Sequence, residues 1–230
     1  MKKIIALAAL AALSATASAA GNLFTDGSFE QLSSGSGWKI DTGPAGVLGD
    51  GWTVGLAPST STRGLPVGLE VRHSGVAGTA EDGIHFVELD GNQNDKISQT
   101  FATVANRSYE ITFFYADRPD QSQAFLKGTP KKGNTPAVQG SGGFAYQVTG
   151  GEVNTYSGGL GTDWNEAVID FVAKGTSTTF SIWAAGRSDS LGTSFDDFSA
   201  AAVVPEPATL GLFAAGLAVL GLSSRRRRQQ

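Results

Sequence analysis

Any chemistry in this sequence has to come from carboxylates, hydroxyls and rings. The 230 residues contain no cysteine and two histidines, His73 and His85. A thiol nucleophile, a disulfide framework and a cysteine zinc site are therefore excluded. Acids are the largest reactive class. Glu70, Glu81, Glu88 and Asp90 could supply the carboxylate pair that glycoside hydrolysis uses. Their separation in space is not given by their spacing in the chain, and the same positions suit turns and strand edges. The sequence has no nucleophile elbow, His-Glu-x-x-His, P-loop or dinucleotide fingerprint. The stretch Asp90–Asp95 imitates an EF-hand loop, but Asp95 stands where the loop needs glycine and Phe101 where it needs glutamate. It reads as a polar hairpin turn.

Rings are the other resource. Pyranose faces stack on aromatic side chains, so the four tryptophans are natural candidates for sugar binding. Trp183 sits inside the apolar run Phe180-Ser181-Ile182-Trp183 and is read as core. Trp38 and Trp164 lie in polar surroundings and are the two candidate stacking residues, although sandwiches use large aromatics to fill the space between their sheets and either could do that instead. Nucleic acid is not an expected partner, because no basic stripe lies outside the chain ends.

The elements that must position these groups are strands. Alternation is clear in Tyr109-Glu110-Ile111-Thr112-Phe113 and in Ile169-Asp170-Phe171, the mark of half-buried strands. Expected strands are 28–31, 51–55, 69–72, 84–89, 96–102, 108–115, 143–148, 152–156, 165–173, 178–184 and 194–201. Short strands separated by Gly, Ser, Asn and Asp predict an all-β fold, an antiparallel β-sandwich of the jelly-roll type. No helical period supplies the crossovers that a parallel sheet requires. Residues 56–67 and 119–143 read as long loops, the second carrying Lys127, Lys131 and Lys132.

Both ends of the chain read as addresses. Lys2-Lys3, the apolar run Ile4–Leu13 and Ala17-Ser18-Ala19 make residues 1–20 a signal peptide. Its partners are the Sec export machinery and signal peptidase. At the other end Pro205-Glu206-Pro207 precedes an apolar stretch, Ala208–Leu222, expected to form a short helix, and then Arg225-Arg226-Arg227-Arg228. As a helix, fifteen residues rise only about 22 Å, short of a hydrocarbon core of about 30 Å. With its flanks and snorkelling arginines the segment can just span, leaving the arginines cytoplasmic.

A plain tail anchor does not explain the Pro-Glu-Pro element. Pro205, Glu206 and Pro207, the Gly- and Ala-rich apolar run and the basic tail Arg225 to Arg228 resemble the PEP-CTERM sorting signal. That resemblance implies reading by a membrane-embedded exosortase, transient residence in the inner membrane and a mature form at the cell surface or outside it. Three internal stretches carry a second resemblance: Asn22-Leu23-Phe24-Thr25-Asp26-Gly27-Ser28-Phe29-Glu30, the run from His85 to Arg118, and Ser194-Phe195-Asp196-Asp197-Phe198. Together they are similar to an exported galactose-binding-like jelly-roll domain. The resemblance implies a structural Ca²⁺ held by Glu30 with Asp196 or Asp197, an ion that takes six to eight oxygens.

The chain then divides into a signal peptide (1–20), a β-sandwich (21–203) and a sorting segment (204–230). Its net charge of −4 is an average over these parts. Six of 17 basic residues but one of 21 acids lie in the end segments, which leaves the sandwich with 11 against 20. The sequence thus predicts an exported, non-enzymatic surface or biofilm-matrix protein, with extracellular polysaccharide as the expected partner of a weak carbohydrate-binding module. An envelope glycan hydrolase and a purely structural matrix protein are the alternatives.

Overall fold

The computed structural model describes residues 21–42, 46–48, 51–58, 64–129, 138–159 and 161–203. The expected signal peptide, the sorting segment with its apolar helix, and Lys131 and Lys132 lie outside them. Within them the chain is an antiparallel β-sandwich, as the alternation predicts. One sheet has the order β1-β3-β4-β13-β6-β11. Its strands are β1 (Trp38–Asp41), β3 (Leu69–His73), β4 (His85–Glu88), β13 (Thr193–Ala202), β6 (Ser108–Asp117) and β11 (Asn165–Val172). The other has the order β10-β9-β12-β5-β2. It is built from β10 (Asn154–Ser157), β9 (Gly143–Val148), β12 (Ser177–Ala184), β5 (Asp95–Ala102) and β2 (Thr53–Leu56). A two-residue pair, β7 (Gly128–Thr129) with β8 (Val138–Gln139), and a short helix α1 (Gln123–Lys127) occupy the long loop before β9.

Period-two patterning sets which face each residue takes. In β6 Tyr109, Ile111 and Phe113 are buried against the second sheet, while Glu110 is exposed on the other side. Phe144 and Tyr146 of β9 and Phe180 and Ile182 of β12 meet them from across the interface. Rings dominate this core. Phe113 stacks on Phe198 at 5.0 Å, and Trp52, fully buried, packs on Phe24 at 5.2 Å and Phe198 at 5.3 Å. Burying such side chains contributes roughly 2–3 kcal/mol each, which holds a domain that has no disulfides.

Two departures from the sequence reading have local causes. Residues 28–31 form turns and no strand: Phe29 N–H bonds to Asp26 O and Leu32 N–H to Phe29 O, with Phe29 at φ 58°. Phe29 is buried as a plug on Trp52 at 5.7 Å, so its apolar character serves packing and not pairing. In β13 the register slips between Asp196 and Ser199, with Asp197 in the left-handed region at φ 45°. The bulge turns both Phe195 and Phe198 inward, a spacing of three that a regular strand cannot bury on one face. The strand closes with Val203 N–H donating to Ser108 O at 2.9 Å.

Candidate functional site

The outward face of the six-stranded sheet is where the chemistry gathers. Cross-strand partners point to the same side, so the registers define two rows on this face. One runs Trp38, Arg72, Phe86, and continues through Asp196 and Phe114 to Glu166; the other runs Ile40, Glu70, Glu88, Ser194, Ala116. Loops close over the middle strands, so Glu70, Arg72, Phe86 and Glu88 are buried although they face away from the sandwich core.

A charged ladder fills the middle of the face. Arg72 Nε donates to Glu70 Oε1 at 2.7 Å, and its Nη2 is paired with Glu88 Oε2. Arg118 Nη1 stands 3.6 Å from the same Glu88 oxygen and its guanidinium clamps Asp120 at 2.9 and 2.8 Å. Glu88 Oε1 also accepts from the Gly192 N–H. Burial pushes the Glu88 carboxyl up to about 8, against the pull of Arg72 and with Glu70 adding to the rise. Of the four acids that could have made a hydrolytic pair, Glu70 and Glu88 do come together. Their oxygens are engaged by Arg72 and they do not line the cleft beside them.

That cleft, of about 320 Å³, lies at the end of the face next to the ladder. Phe86 and Trp164 make its aromatic wall, edge to face at 6.1 Å, with Ala116 and Pro119 beside them. Thr79, Thr162 and Ser194 bring hydroxyls and Asp163 a carboxylate, while the carboxylate of Asp117 is turned to the other face of β6, where it accepts from Thr193 Oγ1. Trp164 is half-buried and donates through Nε1 to Thr79 O at 3.0 Å, which ties the 77–79 loop to the start of β11. Trp38 is not part of the cleft. It stands on β1 at the edge of the sheet, 59% exposed, in the row that leads through Arg72 to Phe86. The sequence thus singled out two tryptophans that share one face, and it missed Phe86, which joins them. The signal was there in Phe86-x-Glu88 and Glu70-x-Arg72, alternating residues on paired strands.

Carboxylates also staple the loops around this face. Glu30 Oε1 accepts from the backbone N–H groups of Ile84 (2.8 Å) and His85 (2.7 Å). Asp196 Oδ2 accepts from Glu81 (2.8 Å) and Asp82 (3.1 Å), and its Oδ1 from Asp197 N–H (2.8 Å). Glu30 and Asp196 therefore converge on one segment, residues 81–85, while Asp197 sits at the bulge. These three are the residues that the resemblance assigns to Ca²⁺. Both Asp196 oxygens and Glu30 Oε1 accept from backbone N–H groups, and among the described residues no three His, Cys, Asp or Glu side chains are gathered as a metal-binding group. Burial pushes Asp196 up to about 7 and raises Asp197, which Asp82 and Glu166 raise further. Asp90 performs the same stapling at the other end, with Oδ2 accepting from Asp189, Ser190 and Leu191.

No curated protein matches the chain. Its structure is similar to that of TmCBM61 in complex with β-1,4-galactotriose, at 17% identity and a TM-score of 0.41, over 79% of this chain and 99% of that one. It is also similar to the CBM22-1 xylan-binding domain of Paenibacillus barcinonensis Xyn10C (13% identity, 82% and 99% covered, TM-score 0.38). A third likeness is to a family 35 carbohydrate binding module from Clostridium thermocellum (14%, 65% and 96%, TM-score 0.37). The sequence match is at the C-terminus and is of a different kind. Residues 203–228 fit the family described as the PEP-CTERM protein-sorting motif, so the segment containing Pro205-Glu206-Pro207 and the arginine block is a PEP-CTERM sorting signal.

Proposed function

We propose that this chain is an exported glycan-binding module without catalytic activity, sorted through its PEP-CTERM signal to the cell surface or the surrounding matrix. The cleft carries this reading. An aromatic wall of Trp164 and Phe86 suits the apolar face of a pyranose, and the hydroxyls of Thr79, Thr162 and Ser194 suit its equatorial groups. Trp38 extends the aromatic surface about two strand spacings, roughly 10 Å, from Phe86 and could stack a second sugar of the same chain. The absence of catalysis is inferred from the acids. Glu70 and Glu88, the best-placed pair, are held by Arg72 inside the protein and away from the cleft.

Binding on a glycan array, followed by titration of the strongest ligand, tests the proposal. Trp164→Ala is expected to weaken binding at least tenfold, about 1.4 kcal/mol, and Trp38→Ala by less. Failure to bind any glycan would remove the reading. Turnover of a glycoside that Glu88→Gln or Glu70→Gln abolishes would replace it with the hydrolase.

A further inference from the structure

The chain has two histidines, and the fold sets them side by side. His73 ends β3, His85 opens β4, and the register makes them cross-strand partners. Alternation puts both on the face that carries Val71 and Val87. Their ring centroids are 5.9 Å apart, with the ring planes at 89°. His85 is buried and His73 half-buried. The backbone beneath them is fixed. His73 N–H donates to Gly37 O at 2.9 Å, Ser74 N–H to Ile84 O at 2.7 Å, and His85 N–H to Glu30 Oε1 at 2.7 Å.

The ring nitrogens are distinguished as well. His73 Nδ1 lies 2.8 Å from Ser74 O, and because a carbonyl only accepts, this nitrogen carries the proton. His85 Nδ1 stands 3.4 Å from Glu30 Oε2, and the carboxylate likewise favours a proton there. In each neutral ring the lone pair is then left on Nε2, which has no hydrogen-bond partner among the described residues. Metal-ligating imidazoles are arranged in this way, with one nitrogen turned to a carbonyl or carboxylate and the other free. Two imidazoles on one tetrahedral ion, at about 2.0–2.1 Å each, have centroids about 5–6 Å apart.

We propose that His73 and His85 chelate a divalent transition-metal ion, Zn²⁺ or Cu²⁺, through their Nε2 atoms, with Glu30 orienting His85 and water completing the shell. The site is a pair of ligands and not a group of three. It differs in chemistry from a Ca²⁺ site of Glu30, Asp196 and Asp197, because imidazole suits borderline ions and calcium takes oxygens. Bound there, the ion cross-links β3 to β4.

Closed zinc sites use four protein ligands, so two hold the ion loosely and it is supplied after purification. Titration calorimetry of the untagged protein, dialysed free of metal, should show one Zn²⁺ per chain, and Cu²⁺ bound more tightly than Zn²⁺. Ca²⁺ in about hundredfold excess should not displace Zn²⁺. His73→Gln and His85→Gln should each weaken binding at least tenfold, about 1.4 kcal/mol. His85 is buried, so nitrogen NMR of the native protein supplies a readout independent of folding: both Nε2 signals should move on adding Zn²⁺. Absence of Zn²⁺ binding, binding that survives His73→Gln, displacement by Ca²⁺, or Nε2 signals that stay in place would each overturn the site.

Discussion

Glu30 and Asp196 show how much of a loop two carboxylates can hold through backbone amides. Each carboxylate accepts from two successive backbone N–H groups of the segment from Glu81 to His85, and so fixes a loop that borders the cleft. Because these oxygens already have donors, EDTA is expected to leave the melting temperature unchanged; a fall restored by added Ca²⁺ in the native protein but not in the Asp197→Asn variant would place an ion at Glu30, Asp196 and Asp197 instead. The sequence marked these acids by their places in the opening and closing segments. It did not show that their partners would be amide hydrogens, since the loop that supplies them is distant in the chain. Trp38 and Trp183 were easier to read. Trp38 is exposed, as its polar neighbours suggest, while Trp183 is buried in a small cluster with Ala57 and Ala145, on the sheet face opposite to that of Phe180 and Ile182. The Glu70–Arg72–Glu88 ladder was half legible: residues two apart share a strand face, but only the register of β3 on β4 sets the two glutamates opposite each other.

At the scale of elements, the strands with clear alternation were located within a few residues, and the irregular ones were not. β9 falls at 143–148 as expected, because Phe144, Tyr146 and Val148 alternate with smaller or more polar residues. β1 was missed: Trp38-Lys39-Ile40-Asp41 is an edge strand with little buried surface, paired with β3 alone. The bulge in β13 was also beyond reach, since a two-residue period cannot signal its own interruption. It has a close neighbour. Phe198 N–H donates to Gly27 O at 2.9 Å, and a methyl group on Gly27 would overlap the Phe198 carbonyl. Gly27→Ala is therefore expected to destabilise the protein by about 1–3 kcal/mol, through overpacking that pushes the N-terminal segment off β13. Urea denaturation would measure it, and a loss below about 0.5 kcal/mol would mean that the segment yields freely.

For the whole molecule, the decisive quantity is the number of acids held in dry surroundings. Burial raises Asp90 to about 6, Asp95 and Asp196 to about 7 and Glu88 to about 8, all above their ordinary values near 4. A carboxyl raised by folding binds its proton more tightly in the native state. The stability this gives is complete below the unfolded pKa and is lost as pH rises through the folded one. The protein should thus become less stable between about pH 5 and pH 8. At lower pH the opposite sign enters, because the hydrogen bond from Arg118 holds Asp120 below its ordinary value. Thermal melts should show the highest melting temperature near pH 5, and Asp95→Asn should flatten the fall on the alkaline side. A melting temperature that rises steadily from pH 5 to 8 would contradict the raised values.

β13 gives the last consequence. It is the strand from which the chain continues to the sorting signal, and it lies inside its sheet, between β4 and β6. Pro205 follows two residues after Val203, whose amide is still bonded to Ser108. Any tension applied to the tail enters the domain along this strand and is shared in shear by the hydrogen bonds that pair β13 with β6 from Thr193 to Ala202. An edge strand under the same load would be unzipped one bond at a time. The chain leading to the sorting signal thus leaves the domain from an interior strand, paired on both sides.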